Sequence, residues 1–304
     1  MHKKVFIIGN GFDLDLGMNT RYSDFAKSEE WPFKTSVLGL GNYLRRKANI
    51  EKWFDLEQEL LKYAMNASPS QIDADKLSFK GLSEKLTQYI KKEEQKEFND
   101  NSAASQVLHA IIKNGYFESI YSFNYTNLHQ IAYKLGIQHY FNYEHVHGSV
   151  KDNTIILGIE EKTDVKSGYE YMYKTFSPHY ESHSIQYDMQ EADEVVFFGH
   201  SLGHNDYHYF KAFFQSQCLE GMKRDEGKRI TFFTYDNNSR IEILKQLRSM
   251  NEKKTDLLFN LNQMEFICTN DGGGKKLVAF LERMENDSVD GDFRKLESLD
   301  SYIH

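Results

Sequence analysis

The 304-residue chain contains only two cysteines, Cys218 and Cys268. They lack any metal-ligand spacing and do not suggest a disulfide scaffold. Both lie in apolar surroundings and read as inert core thiols in a reducing compartment. Long hydrophobic runs are also missing. The apolar stretch at the N-terminus is too short for a secretory signal, and no stretch has membrane-spanning length, so a soluble, cytoplasmic protein without a membrane partner is expected. Nor is there an excess of basic residues. A formal net charge of −8 repels DNA and acidic membranes over the whole surface, which argues against non-specific nucleic-acid binding and leaves only a local basic groove open. Internal repeats are absent.

What the chain does have is apolar material. Hydrophobic residues make up 40% and aromatic residues 14%, which excludes global disorder. The length suits one large domain, or one domain with a big insertion.

The organising stretch is Val5-Phe6-Ile7-Ile8, which stops at Gly9-Asn10-Gly11-Phe12-Asp13. An unbroken apolar run rich in β-branched residues reads as a parallel strand buried on both faces. The two glycines permit a tight turn and close approach of backbone N–H groups to a ligand. Strand, Gly-rich turn and helix start is where α/β folds cradle phosphates. The dinucleotide fingerprint G-x-G-x-x-G is not met, because Leu14 stands at its third glycine.

From Thr20 to about Asn114 the pattern is helical, with Leu38, Leu44, Trp53, Leu56, Leu60, Leu61, Tyr63 and Ala64 recurring at helical spacing. Asp73 or Asp75 is expected to cap a later helix through Leu77, Leu82, Leu86 and Ile90; Val107, Leu108 and Ile111 belong to another. The mixed-sign run Lys91–Glu97 reads as a solvated face. Residues 20–115 are therefore a helical insertion after the first strand. Strands follow at 119–123, 139–141, 145–147, 154–158, 194–199, 229–235 and 264–268, with helices expected over 128–135, 206–219, 239–250 and 275–284. The Tyr-rich run from Tyr169 to His179 has no clean period and reads as a mobile loop or lid, and residues 285–304 as a charged tail. Strand–helix alternation predicts one α/β domain with a Rossmann-like parallel sheet and helices on both faces.

Four polar clusters follow expected strands directly: Asn10/Asp13, Asn124/Thr126/Asn127, His147/Ser149 and His200/Ser201/Asp206. The carboxyl ends of strands in an open α/β sheet line one crevice, so these clusters should converge. Each taken alone also fits ordinary turn and cap chemistry.

Gly199-His200-Ser201-Leu202-Gly203 matches the G-x-S-x-G nucleophile elbow. A hydrolase of that kind needs a base histidine late in the chain, and only His204, His208 and the terminal His304 follow Ser201. The motif better suits a sheet-end backbone passing close to a ligand, with Asp206 capping the next helix. His200, His204 and His208 are spaced four apart but lack an H-E-x-x-H context, which makes a metal site unpersuasive.

Taken in order, Ile8-Gly9-Asn10-Gly11-Phe12-Asp13-Leu14, Tyr22-Ser23-Asp24-Phe25, Trp53-Phe54-Asp55-Leu56-Glu57, Ser122-Phe123-Asn124-Tyr125-Thr126, His147-Gly148-Ser149 and Gly199-His200-Ser201-Leu202 through Asp206 closely resemble the AbiH family of bacteriophage abortive-infection proteins. More distantly the same order resembles sirtuin-like domains, whose defence members hydrolyse NAD. The resemblance implies an antiphage effector with a sirtuin-like fold that binds a nucleotide, most concretely NAD as substrate, and cleaves its nicotinamide–ribose bond. Asn124 and His147 would be catalytic, and Gly9, Asn10, Gly11, Phe12, Asp13, Arg21, Thr126, Ser149, Gly199, Ser201 and Asp206 would form the pocket. No further cofactor is required. The four-cysteine zinc module of sirtuin-like deacetylases is missing. Asp13 stands where a pyrophosphate would meet repulsion unless the carboxyl is protonated or offset by a cation such as Arg21. A non-catalytic nucleotide sensor, whose insertion recognises a phage or host trigger protein, is the alternative; a serine hydrolase using Ser201 is a third, and homo-oligomerisation stays open.

Overall fold

The computed structural model describes residues 3–50 and 54–300, with side chains through residue 287. Six parallel strands form one sheet in the order β3-β2-β1-β4-β5-β6. They are β1 (Lys4–Ile8), β2 (Ser119–Ser122), β3 (Glu144–His145), β4 (Glu194–Phe198), β5 (Arg229–Thr234) and β6 (Gln263–Cys268). This is the doubly wound, Rossmann-like order, and it reverses direction between β1 and β4. Those two strands run side by side from Lys4↔Glu194 to Ile8↔Phe198. Alternation along them separates two cores. Phe6, Ile8, Val196 and Phe198 face one helical layer, and Val5, Ile7, Val195 and Phe197 face the other.

Between β1 and β2 lie α1 (Asn10–Asp15), α2 (Tyr22–Phe25), α3 (Gly39–Ile50), α4 (Leu56–Asn66), α5 (Ile72–Glu93) and α6 (Ala103–Asn114). The second half adds α7 (Leu128–Lys134), α8 (Ile185–Glu191), α9 (Tyr207–Ser216), α10 (Asn237–Met250), α11 (Thr255–Leu261) and α12 (Gly274–Asp300). Local signals set several ends. Asp55 caps α4, Ser102 caps α6 and Asp236 caps α10 with side-chain acceptors, and Gly115 closes α6 at φ +55°. No helix of the described residues is long and apolar enough to cross a membrane.

Several expectations need correction. Residues 139–141 and 154–158 are not strands, and β3 is only Glu144–His145. Residue Ile156 instead donates its N–H to His147 O at 2.9 Å, outside the sheet. Helices α8 and α11 were not expected, because each is only seven residues long and shows too few turns for a period. Helix α12 runs on to Asp300 rather than stopping at Met284. Leu38 and Leu77 are exposed, and Asp75 caps α3 through Leu40 N rather than its own helix. Glu93 and Glu94 are buried, not solvated: they accept the backbone N–H groups of Asn19 and Asn127. Trp53 and His304 lie outside the described residues.

The Tyr-rich segment is packed against the body of the protein through Lys174, and residues 175–180 beyond it are mostly exposed. Tyr169 and Met172 are fully buried in a third core, with Phe25, Trp31, Leu44, Leu60 and Leu86 of the region between β1 and β2. The Tyr169 hydroxyl donates to Asp75 Oδ2 at 2.8 Å. Tyrosines can join a core without an apolar period because the ring is buried while the hydroxyl finds an acceptor.

The switch point itself is a backbone contact. Gly9 N donates to Phe198 O and Gly11 N to Gly199 O, each at 2.9 Å. A Cβ on Gly11 would lie 2.6 Å from Gly199 Cα, and Gly199 has φ +64°. We predict that Gly199→Ala costs about 3 kcal/mol or more through steric overlap and positive φ. Gly17→Ala, at φ +93° with nothing within 4 Å, should cost only about 1–2 kcal/mol. Urea unfolding of the two variants checks the difference.

Candidate active site

Two buried polar groups stand at the carboxyl ends of the strands. The first joins the β1 and β2 loops. Asn124 Nδ2 donates to Gly9 O at 3.1 Å and to Asp13 Oδ1 at 2.9 Å, and Thr126 Oγ1 lies 3.1 Å from both oxygens of Asp13. Burial pushes the Asp13 carboxyl up to about 7, against the hydrogen bonds from Asn124 and Thr126 and with help from Glu94. No cation pairs with it among the described residues, and Arg21 is exposed. Arg21 therefore does not supply the offset expected of it.

The second group is larger. His147 Nε2 lies 2.8 Å from Asp206 Oδ1, and His200 Nε2 lies 3.5 Å from Asp206 Oδ2. Leu202 N donates to His200 Nδ1 at 3.0 Å, so His200 carries its proton on Nε2, toward the carboxylate. Lys174 Nζ lies 3.2 Å from Glu57 Oε2, 3.8 Å from Asp206 Oδ1, 3.8 Å from Glu160 Oε1 and 3.5 Å from His147 Nε2. Glu57 also accepts from Tyr22 Oη at 3.1 Å and Asn205 Nδ2 at 2.7 Å. The Tyr22 and Tyr125 hydroxyls are 3.3 Å apart. The Phe123 ring packs edge-on against both His147 and His200.

Electrostatics separates these groups. Burial, then the Lys174 ammonium, lowers His147 to about 4, against the attraction of Asp206. Burial alone would raise Asp206, but Lys174 and the two histidines hold it well below the usual carboxylate range. Lys174 is held above its ordinary value because Glu57 and Asp206 outweigh its burial. Glu57 is pushed up to about 7 by burial, only partly offset by Lys174. At neutral pH His147 is thus uncharged and donates Nε2–H to an ionised Asp206. Its Nδ1 is left as the basic atom.

The remaining expected site residues fall elsewhere. Phe12 is fully buried and packs on Phe198 at 5.2 Å between ring centroids. Gly9, Gly11 and Gly199 serve the contact between the β1 and β4 loops, so the N–H groups expected to cradle phosphate at Gly9 and Gly11 are already engaged. Asn10 accepts from Thr20 Oγ1 at 2.5 Å and is exposed. Ser149 makes a turn with Asp152 at 2.8 Å. Asp206 occupies the N-cap position of α9 without capping it, since its carboxylate is taken by the histidines. Asn127 does cap α7.

Ser201 is exposed and has no hydrogen bond to a histidine among the described residues. The positive φ of the elbow falls on Leu202, at +52°, rather than on the serine. His200, His204 and His208 diverge: the first faces Asp206, the second stacks on Tyr207, and the third lies 3.2 Å from Glu160.

Lys174, Glu57 and Glu160 were not among the expected site residues. Glu57 had a signal, since it sits in the first turn of an expected helix within a quoted motif. Lys174 had none, because nothing local distinguishes it from a surface lysine.

A parallel sheet in this order, with a polar cluster at its switch point, defines a Rossmann-like α/β protein. Residues 5–223 match the family described as Bacteriophage abortive infection AbiH, and the chain belongs to that family. No curated protein matches the chain as a relative.

Two titrations are expected. Asp13 binds its proton more tightly folded than unfolded, so its contribution to stability falls as pH rises from about 4 to 7 and is level above. Asp13→Asn should therefore stabilise by roughly 1–3 kcal/mol at pH 8 and lose that gain toward pH 4, as read by melting midpoints. His147 has the opposite sign: its neutral state supports the fold above pH 6.5 and that support is lost as pH falls toward about 4. NMR titration of its ring should give a midpoint well below that of an exposed histidine.

Proposed function

We propose that this abortive-infection protein is a hydrolase of the nicotinamide–ribose bond of NAD, with His147 as general base. The observation that supports the reading is the buried His147, its Nε2 held 2.8 Å from Asp206 Oδ1 at the carboxyl ends of the sheet. In the reaction the C1′–N bond breaks and its electron pair neutralises the pyridinium nitrogen, releasing uncharged nicotinamide. Water oxygen bonds to C1′, and the water proton passes to His147 Nδ1. The leaving group needs no protonation, so the paired-carboxylate arrangement of O-glycoside hydrolysis is unnecessary.

Asn124 takes a different role from the one the resemblance implies. Its amide protons are committed to Gly9 O and Asp13, which makes it a positioning residue that ties the β1 and β2 loops. A non-catalytic nucleotide sensor is the second reading, favoured by the weak basicity of His147, which burial and then the Lys174 ammonium lower to about 4.

Nicotinamide release from NAD by the purified chain tests both. His147→Ala should lower turnover by about 100-fold or more, and Asn124→Ala less, with a drop in melting temperature. Turnover unchanged in His147→Ala removes the assignment. NAD binding without turnover in the wild type selects the sensor.

A further inference from the structure

β6 ends the sheet on the side away from β3, and no further strand pairs with it among the described residues. Gln263 N donates to Lys228 O and Thr269 N to Thr234 O, so the odd-numbered residues of β6 turn their backbone groups toward β5. By the alternation of a strand, Met264 and Phe266 turn theirs to the outer edge. Among the described residues neither of these outward N–H groups has an acceptor. The Phe266 carbonyl is engaged on that side, accepting from Lys276 Nζ at 2.8 Å. A cavity of about 610 Å³ runs along the edge, and its two walls differ. One is largely apolar, with Met264, Phe266 and the exposed Phe259 of α11, and there the Arg240 guanidinium of α10 lies 5.1 Å from the centre of the Phe266 ring. The other is α12, with Lys276, Phe280 and Arg283. Arg229, Arg240, Lys276 and Arg283 line the cavity against a single carboxylate, Glu265, in a chain whose net charge is −8. Arg229 and Arg283 are paired with Glu194. Arg240 and Lys276 touch only the Phe266 ring and carbonyl, and neither has a carboxylate partner among the described residues.

We propose that the open edge of β6 docks an extended acidic segment of another protein, added to the sheet as a seventh strand. Unpaired backbone groups on an edge supply the hydrogen bonds of such an addition, and alternate side chains of the incoming strand supply its specificity. Those side chains point to opposite faces in turn. A segment with carboxylates toward α12 and apolar residues toward Met264 and Phe259 therefore meets both walls. Lysine on a sheet edge guards against pairing with other strands. Lys276 makes that guard selective, because a carboxylate on the incoming strand is a stronger partner for its ammonium than one carbonyl. A second copy of the same edge would set these cations against one another. A long nucleic acid meets the repulsion of the whole surface and lacks the alternating N–H and C=O groups that match a strand edge. The groove lies beyond residues 5–223, which carry the family match, and the proposal is independent of the NAD reading.

The test is fluorescence anisotropy of the full chain with a labelled peptide of about eight residues, alternating glutamate and valine, a length that spans one strand. An alternating lysine–valine peptide and an oligothymidylate of similar length are titrated beside it. The acidic peptide should saturate with a Kd of about 1 mM or tighter and weaken as salt is added, while the other two should not saturate. Arg240→Glu and Lys276→Glu, both outside the buried core, should each weaken the acidic peptide by about fivefold or more. Met264→Pro removes one outward N–H and no bond to β5, a position that an edge strand tolerates, and should weaken it likewise, with circular dichroism to check the fold. If Met264→Pro does not fold, the two charge reversals decide. No saturation by the acidic peptide, equal binding of the two peptides, saturation by oligothymidylate, or unchanged affinity in both charge reversals overturns the proposal. So does a concentration-dependent dimer, seen by sedimentation and lost in Arg240→Glu or Lys276→Glu, because a second copy then covers the edge.

Discussion

One buried ammonium sets the terms for the carboxyl end of this sheet. An ion held away from water must be matched by charge close by, and Lys174 is matched by Glu57, Asp206 and Glu160 within 4 Å. That requirement ties α4, the loop before α9 and the aromatic segment to one point. It also fixes the neighbours: Asp206 stays ionised, and His147 stays neutral beside it. Without Lys174 the same carboxylates would have to protonate or leave.

The contact of Gly9 and Gly11 with the β4 loop is the second constraint, and it redirects the usual chemistry of this fold. A Rossmann-like switch point ordinarily offers backbone N–H groups to a phosphate. Here those of Gly9 and Gly11 close onto Phe198 and Gly199, and the glycines are needed because two backbones touch. The polar chemistry lies in side chains that converge from β2, β3 and β4, together with Glu57 from α4. In this member of the abortive-infection family, the strand ends therefore present a cluster of side chains rather than a glycine cradle.

The helices between β1 and β2 act as more than an appendage. Their own core takes in Tyr169, Met172 and Tyr173, and this core is what holds Lys174 at the site. Asp75 links the two parts, accepting from Leu40 N, Tyr63 Oη and Tyr169 Oη. Packing in one region thereby sets electrostatics in another.

Much of this was legible in the chain itself. Apolar runs such as Val5–Ile8 and Val195–Phe198 set parallel strands, and helical spacing marked the tract before β2, because these patterns arise from neighbours along the chain. The clustering of Asn124 with Asp13, and of His147 with Asp206, followed from strand-end position alone. What only the tertiary structure decided was partnership. Lys174 looks like any lysine until three carboxylates from elsewhere surround it, and the tyrosines around 170 read as a loop until Asp75 and a third core receive them. Asp206 reads as a helix cap until His147 takes its oxygen. Burial and charge depend on groups far apart in sequence, so a local pattern fixes which residues reach the site but not which of them share a proton there.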